Sequence, residues 1–264
     1  MTLEEASQRG DRGEPKSGYV PLGALRMYYE ILGAGRPLLL LHGGMSTIDT
    51  SFEHLRPGLA ERRLTLALEQ QAHGHTADID RPLRYEQMAE DTAAALKALE
   101  LSAVDVFGWS DGGIVALGLA ARYPALVRKV AICGAGFGPD AEGPEFKKAM
   151  RALTADNPHL QPFRKAYEAV APSPERWPAL LEKCQEMYFS FQGWPVTPLR
   201  ALRAPLLVML GDRDFLRLDQ ALELSRLVPA GSLAVLPATD HSAPITRARW
   251  ISAMLDDFFD APMP

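Results

Sequence analysis

The sequence predicts an α/β protein in which helices flank a mostly parallel, twisted β-sheet and a helical segment is inserted late in the chain. Two observations support this prediction. Short aliphatic runs alternate with longer segments of helical periodicity, which is typical of strands buried on both faces and joined by crossover helices. After the fourth run the alternation stops, and only helical patterns separated by prolines follow until the fifth.

Six short aliphatic runs, bounded by glycine, proline or charge, are the candidate strands of the parallel sheet. They occupy residues 38–41, 64–68, 104–107, 130–133, 206–210 and 233–236. Before them, residues 19–22 and 26–32 are predicted to form an antiparallel hairpin that turns at Gly23. Such a hairpin commonly adds an edge to an otherwise parallel sheet.

Helical periodicity defines the remaining elements. Core helices are predicted at residues 85–99 and 114–123, and a C-terminal helix at the spacing of Ala248, Ile251, Leu255 and Phe258. The inserted segment carries helical patterns at 146–153, 163–170 and 177–188. The predicted organisation is a flexible leader at residues 1–17, a core domain at residues 18–136 and 201–264, and a helical cap at residues 137–200 that covers the strand ends.

Composition excludes several classes of protein. The chain has 264 residues, of which 47% are hydrophobic and 23% charged, as in ordinary globular proteins. Its 28 basic and 33 acidic residues give a net charge of −5, which disfavours a nucleic-acid partner. No apolar run is long enough to span a membrane. The polar N-terminal residues lack the apolar segment of a signal peptide, and Cys133 and Cys184 sit in unrelated contexts. We therefore expect a cytoplasmic protein with reduced thiols.

The segment from Gly108 to Gly112 reads Gly-Trp-Ser-Asp-Gly and directly follows a predicted strand. A G-x-S-x-G pattern between a strand and a helix forms a sharp turn, the nucleophile elbow, that lifts the serine hydroxyl above the sheet. The two glycines remove side chains that would clash in so tight a turn. The sequence therefore predicts Ser110 as a nucleophile.

A serine needs a base to take its proton, and the base needs an acid to orient it. His241 lies in the loop after the last predicted strand and is the candidate base. The acid follows the preceding strand, where Asp212 and Asp214 both occur. We favour Asp214 because it lies further along the loop and can reach the histidine, and we expect Asp212 to cap the turn. The chain order Ser, Asp, His is the one found in hydrolases with a nucleophile elbow.

The two donors of an oxyanion hole are predicted to be backbone amides. One is the amide of Asp111, which follows the nucleophile and opens a helix. The other is the amide of Gly44 in the His42-Gly-Gly loop after the first predicted parallel strand.

Together these motifs resemble the α/β-hydrolase superfamily, and the resemblance runs from about Gly18 to Phe259. It implies the α/β-hydrolase fold and a serine hydrolase or esterase that uses an acyl-enzyme and no cofactor. Many relatives carry a D-x-R-G-x-G-x-S loop after the third strand of the fold. Here residues 69–76 preserve only its central glycine, which is expected to change the pocket wall. His73 and His75 alternate like a metal pair, but without a third ligand we expect no metal site.

The elbow Gly-Trp-Ser-Asp-Gly-Gly-Ile is also similar to that of enzymes of the valacyclovir hydrolase type, in which the aspartate after the serine is taken to recognise a substrate ammonium group. Asp111 occupies that position. One hypothesis is that this protein prefers esters that carry an amine near the carbonyl. The alternative is that Asp111 only benefits from the helix dipole.

Further pocket residues are expected beside the core positions and on the cap. Met45, Trp109 and Ser242 flank the predicted oxyanion loop, nucleophile and base. Aromatic and methionine residues of the cap are weaker candidates because helical spacing of such residues usually reflects packing. They are Phe137, Tyr167, Trp177, Met187, Tyr188 and Trp194, of which Phe137, Tyr188 and Trp194 are preferred.

The predicted function is hydrolysis of a small carboxylic ester, with a small-molecule substrate as the partner and a homodimer as a possible assembly. The same residues are compatible with opening of lactones, hydrolysis of C–C bonds or perhydrolysis. A rival from another class is a small-molecule receptor that retains the triad and signals through its cap. The sequence does not identify the acyl or alcohol group of the substrate.

Overall fold

A computed structural model describes residues 14–264 of the chain. It begins with the predicted antiparallel hairpin, formed by β1 (Lys16–Leu22) and β2 (Leu25–Leu32). The hairpin turns at Gly23, whose φ of 66° suits a residue without a side chain. β1 begins before the predicted leader boundary because pairing with β2 extends to Lys16 and Ser17. Residues 1–13 of the predicted leader lie outside the described residues.

All six predicted parallel strands are present in one eight-stranded sheet. They are β3 (Arg36–Leu41), β4 (Arg63–Leu68), β5 (Val104–Trp109), β6 (Val127–Cys133), β7 (Leu206–Gly211) and β8 (Gly231–Leu236). The strand order is β1-β2-β4-β3-β5-β6-β7-β8, and only the pairings of β1 with β2 and of β2 with β4 are antiparallel. The predicted fold class is confirmed. Every residue of β4, β5 and β7 is buried, as expected for strands covered on both faces.

Helices cover both faces of this sheet. One face packs against α3 (Tyr85–Ala98), α4 (Asp111–Arg122) and α9 (Leu218–Leu227). The opposite face packs against α1 (Ile48–Phe52), α2 (Arg56–Ala60), α10 (Ala243–Thr246) and α11 (Ala248–Asp260). The helical face predicted in α11 is nearly right, since Ile251 and Leu255 are buried. Phe259 rather than Phe258 completes that face.

Four helices lie between β6 and β7, and the described residues of this segment contain no strand. They are α5 (Pro144–Ala152), α6 (Gln161–Val170), α7 (Trp177–Ser190) and α8 (Val196–Arg200). The first three match the helices predicted there to within two residues at each end. An isolated bridge between Glu142 and Leu216 ties the start of this segment to the loop after β7. No helix among the described residues is long and apolar enough to cross a membrane.

The strand order creates a crevice at the carboxyl ends of β3 and β5. The chain passes from β3 outward to β4 and then returns to the other side of β3 as β5. Loops that leave two strands in opposite directions separate at such a switch point, and ligands of open α/β sheets bind there. The predicted oxyanion loop and the predicted elbow leave these two strands.

Candidate active site

Ser110 lies between the end of β5 and the start of α4, as the motif predicts. Its φ is 54° and its ψ is −124°, a conformation that a residue with a side chain rarely adopts. Both glycines of the turn are sterically required. A Cβ on Gly108 would lie 2.2 Å from the Gly112 carbonyl oxygen, and one on Gly112 would lie 2.1 Å from the Leu41 carbonyl oxygen.

Hydrogen bonds hold the strained turn in place. The Ser110 amide donates to the Cys133 carbonyl at 2.9 Å, and the Ser110 carbonyl accepts the amide of Gly113 at 2.8 Å. The next amide, that of Asp111, is the first of α4, and the first amides of a helix have no partner within the helix. An anion that develops beside Ser110 therefore meets the positive end of the helix dipole.

His241 and Asp214 lie together at the carboxyl end of the sheet. His241 Nδ1 is 2.9 Å from Asp214 Oδ1, and the Asp214 side chain is 0% exposed. The same carboxylate oxygen accepts the Leu216 amide at 3.1 Å, which fixes the orientation of the acid. This arrangement leaves Nε2, the other ring nitrogen of His241, for the cavity that Ser110 also lines.

Asp212, the alternative acid, has a different role. Its Oδ1 accepts the Thr239 amide at 3.0 Å, so it ties the loop after β7 to the loop that carries His241. The amides of Ala238 and Thr239 hold the pKa of Asp212 below its usual range. The structure thus brings Asp214, and not Asp212, to the histidine.

Two residues that the sequence reasoning missed shape the surroundings of His241. Gly134, just after β6, has a φ of 61°, and a Cβ there would lie 2.7 Å from Nδ1 and Cε1 of the imidazole. On another side of His241, the Phe215 ring lies 3.9 Å from the imidazole, centre to centre. Phe215 could have been suspected because it directly follows Asp214, whereas nothing local marks Gly134.

The predicted oxyanion loop approaches the start of α4 closely. A Cβ on Gly44 would lie 2.3 Å from Asp111 Oδ2, so a side chain there would displace this carboxylate. A Cβ on the neighbouring Gly43 would lie 3.4 Å from the Cβ of Ser110. The loop after β3 and the elbow after β5 therefore meet beside Ser110.

A cavity of about 370 Å³ opens over Ser110 and His241. Its wall on the sheet side includes Gly44, Met45, Trp109 and Asp111. Its opposite wall comes from the segment between β6 and β7 and is mostly apolar. This second wall consists of Glu142, Phe146, Met150, Leu153, His159, Leu160, Phe163, Cys184 and Tyr188. Among the described residues that line the cavity, none is lysine or arginine.

Two carboxylates line this cavity, and each accepts a tyrosine hydroxyl. Tyr85 donates to Asp111 Oδ1 at 2.7 Å, and Tyr188 donates to Glu142 Oε2 at 3.0 Å. Burial raises the pKa of both carboxyls, and the tyrosine hydrogen bonds only partly oppose that shift. Glu142 was not predicted from the sequence, because an isolated glutamate in a loop carries no pattern.

Of the residues predicted to contact substrate, Met45, Trp109, Asp111 and Tyr188 line the main cavity. Trp109 also donates its indole N–H to the His241 carbonyl at 2.9 Å. Ser242 instead lines a neighbouring cavity of about 390 Å³ on the outer side of His241.

Phe137 and Trp194 lie away from the main cavity, contrary to expectation. Trp194 packs where Gly118 leaves room on α4 and donates its indole N–H to the Ile114 carbonyl at 2.8 Å. The Phe137 side chain is in the core, and its carbonyl accepts the Trp194 amide.

The weaker candidates on the inserted segment are also packing residues. Trp177 and Met187 are buried in the core, and Tyr167 is buried against Trp177. Helical spacing identified all three as inward-facing, but none of them lines the main cavity.

The two histidines that resembled a metal pair point to different partners. His73 accepts the Met45 amide, whereas His75 lies 2.9 Å from Glu69 and stacks on Tyr28. The described residues contain no group of three or more potential ligands suited to a metal ion. Residues 69–76 do not line the main cavity, so their departure from the pattern does not change its wall directly. They lie behind the oxyanion loop instead.

With the fold and the geometry of the site established, comparison with known proteins identifies the class. A model of the Alpha/beta hydrolase family matches residues 38–254. The chain therefore belongs to this family, as its motifs predicted.

Curated relatives and solved structures span nearly the whole chain. Mouse serine hydrolase BPHL is 26% identical over 92% of this chain and 86% of its own length. A 2-hydroxy-6-oxo-2,4-heptadienoate hydrolase from Pseudomonas putida is 26% identical over 90% of this chain and 94% of its own length. The solved structure of a 2-hydroxy-6-oxo-6-phenylhexa-2,4-dienoate hydrolase from Rhodococcus has a TM-score of 0.77, with 21% identity over 94% of this chain and 99% of that one. At that identity, the structural match reports the fold alone.

Proposed function

We propose that the protein is a carboxylic ester hydrolase that forms an acyl-enzyme at Ser110. The contact between His241 and Asp214 at 2.9 Å, at the edge of a cavity that Ser110 also lines, carries the proposal. In the first step His241 takes the hydroxyl proton while Ser110 attacks the ester carbonyl, and the alcohol leaves with that proton. In the second step His241 activates water, which releases the acid and restores Ser110. Asp214 orients the ring and stabilises the imidazolium.

The amides of Gly44 and Asp111 are proposed to bind the oxyanion of both tetrahedral intermediates. Two observations support this pair. The Asp111 amide is the first of α4, and the Gly44 backbone lies so close to Asp111 that an added Cβ would be 2.3 Å from its carboxylate oxygen. Donors fixed before the reaction stabilise the developing charge without reorganising during it.

The segment at residues 137–200 is proposed to act as a cap that selects the substrate. Its residues supply one whole wall of the cavity, and that wall is mostly apolar. An apolar wall opposite the nucleophile suits a substrate with a hydrophobic acyl or alcohol group.

The two carboxylates favour an ester that carries an amine near its carbonyl. Asp111 and Glu142 face the cavity, and no lysine or arginine among its described lining residues balances them. A protonated amine would replace the water that these carboxylates lose on burial. The dienoate substrate in the name of the Pseudomonas putida relative is itself a carboxylate, and this cavity would repel it. The charge of the site therefore favours amino-ester hydrolysis over C–C bond hydrolysis of such acids.

The Ser110→Ala variant tests the ester hydrolase proposal. We expect the fold to survive and kcat on p-nitrophenyl acetate to fall by about 10⁴ to 10⁶-fold, because the nucleophile is removed. Circular dichroism checks the fold. Turnover close to that of the parent would refute the proposal.

A pair of esters that differ in a single amino group tests the preference for an amine. L-alanine benzyl ester carries an ammonium group that benzyl propionate lacks. We expect Asp111→Asn to lower kcat/KM on the amino ester by about 10-fold or more and to change the neutral ester little, because the substituted side chain keeps its shape and its backbone amide. Equal losses on both esters would eliminate the amine preference while leaving the hydrolase proposal intact.

A further inference from the structure

The loop that follows β3 has a constrained backbone that its own sequence does not explain. Met45 has a φ of 59°, which is unfavourable for a residue with a Cβ. The Met45 amide donates to His73 Nε2 at 3.1 Å, and the Ser46 amide donates to the Gly43 carbonyl at 3.3 Å. Among the described hydrogen bonds, both amides that follow Gly44 are thus engaged within the protein.

His73 is held as a neutral acceptor. Its Nδ1 lies 2.9 Å from the Gln71 carbonyl, which can only accept, so Nδ1 carries the proton and Nε2 presents a lone pair. The ring is 1% exposed, and burial lowers its pKa to about 4. Cys184 of α7 packs against the same nitrogen, with its sulfur 3.8 Å away. The ring therefore has little freedom to turn away from Met45.

His42 forms the reciprocal connection. Its Nδ1 donates to the Gly43 carbonyl at 2.8 Å, and its Nε2 accepts the Gln70 amide at 3.0 Å. The centres of the His42 and His73 rings are 4.9 Å apart. Each histidine thus lies in one loop and accepts an amide from the other loop. The loop after β3 and the loop after β4 are cross-linked by two hydrogen bonds, of which the one to His42 is fully buried.

We propose that His73 is a positioning residue for the oxyanion hole. By holding the Met45 amide turned toward itself, it fixes the peptide next to Gly44 and so keeps the Gly44 amide directed at the carbonyl above Ser110. This inference rests on the ester hydrolase proposed above. It explains why a buried histidine lies behind the loop without lining the cavity. It also assigns a role to one residue of the segment 69–76, where the chain departs from the pattern of many relatives.

Two substitutions of His73 separate the effect of its hydrogen-bond acceptor from the effect of its packing. His73→Phe keeps a planar ring and removes the acceptor, whereas His73→Gln places an amide oxygen near the position of Nε2. Thr76→Val is the matched control, because Thr76 Oγ1 accepts another buried amide, that of Tyr28, at 2.9 Å in the same loop. The measurements are kcat and KM on p-nitrophenyl acetate and the Kd of phenylboronic acid, which forms a tetrahedral adduct with a nucleophilic serine.

The expected result is a change in kcat and not in KM. We expect His73→Phe to lower kcat by about 10 to 100-fold and to raise the Kd of phenylboronic acid by a similar factor. KM should stay within about twofold of the parent value. His73→Gln should recover kcat to within about threefold. Thr76→Val should lower the melting temperature and leave kcat unchanged. If the Phe variant does not fold, His73→Asn takes its place, since its shorter amide does not reach Met45.

Other outcomes would overturn the inference. A folded His73→Phe protein with the kcat of the parent, or a Thr76→Val protein with an equal loss of kcat, would show that His73 contributes only stability. These results differ from failure of the hydrolase proposal, in which the parent turns over no ester or Ser110→Ala is as active as the parent.

Discussion

The two walls of the cavity are built in different ways. The sheet wall consists of loops at the ends of β3, β5, β7 and β8, and its groups are fixed by buried hydrogen bonds and strained backbone. Asp214, for example, contacts both His241 and the Leu216 amide. The opposite wall consists of side chains of the inserted segment, and most of its members are apolar.

The two walls meet in a stack of aromatic rings. Phe146 of α5 stacks on Phe215 with centres 3.9 Å apart, and Phe215 packs on His241 at the same separation. Rigid groups suit the chemical step, whereas side chains that repack suit the choice of substrate. The difference teaches that changes in the sheet wall should alter kcat, and changes in the inserted wall should alter KM and specificity.

After the loss of the nucleophile itself, the largest expected effect is on the sheet wall, at Asp214. Asp214→Asn should lower kcat by about 10³ to 10⁴-fold, because an amide stabilises neither the imidazolium nor the required tautomer of His241. Asp212→Asn is the control, since its remaining oxygen can still accept the Thr239 amide. Steady-state kinetics on p-nitrophenyl acetate measure both. A severe loss of kcat in Asp212→Asn together with a mild loss in Asp214→Asn would reverse the assignment of the acid.

The second prediction concerns stability in acid. Burial lowers the pKa of His42 and His73 to about 4, so between pH 6.5 and pH 4 the unfolded chain binds protons that the folded chain does not. This contribution to the free energy of unfolding therefore falls as the pH falls through that window. For one such histidine the decrease from pH 6.5 to pH 4.5 is about 2 kcal/mol.

Urea unfolding of the parent and of His73→Gln at these two pH values isolates the effect. On acidification the free energy of unfolding of the variant should fall by about 2 kcal/mol less than that of the parent, because glutamine does not titrate. An equal decrease in the free energy of unfolding of the two proteins would mean that His73 is not held neutral. It would also count against the view that the sheet wall is more rigid than the opposite wall.

The smallest effect is expected on the inserted wall, at Glu142. Glu142→Gln should raise KM for L-alanine benzyl ester by about 3 to 10-fold and leave kcat on benzyl propionate within about twofold, because it removes a charge that faces the cavity. Tyr188→Phe is the matched variant, since it removes the hydroxyl that donates to this carboxylate and keeps the charge. A loss of kcat on the neutral ester in Glu142→Gln would break the division of roles between the two walls.

Much of the fold followed from local pattern. Runs of aliphatic residues located every parallel strand, because a strand covered on both faces needs apolar side chains on both. The residues at which these strands end were predicted less accurately. β5 continues through Gly108 to Trp109, since ladder pairing with β6 and not side-chain type decides where a strand ends. Phe259, and not Phe258, is buried in α11 because it continues the four-residue spacing of Ile251 and Leu255 on one face of the helix.

The candidate site was predictable where a motif lies within a few residues. The elbow needs glycines at two fixed places, so Ser110 could be identified from its neighbours. The pocket walls were predictable only in part. Helical spacing marks a residue as inward-facing, but Trp194 faces α4 while Tyr188 faces the cavity. That choice depends on how the inserted helices sit on the sheet.

The sequence by itself determined the order of strands and helices, the turn that holds Ser110 and the loops that deliver a base and an acid. Each of these depends on contacts between residues close in the chain. Only the tertiary structure decided that Asp214 rather than Asp212 reaches His241, that Glu142 joins Asp111 in one cavity, and that His73 holds the loop of Met45. Each of these pairs is separated by more than 25 residues, and no local pattern encodes a contact that the packing of distant loops creates.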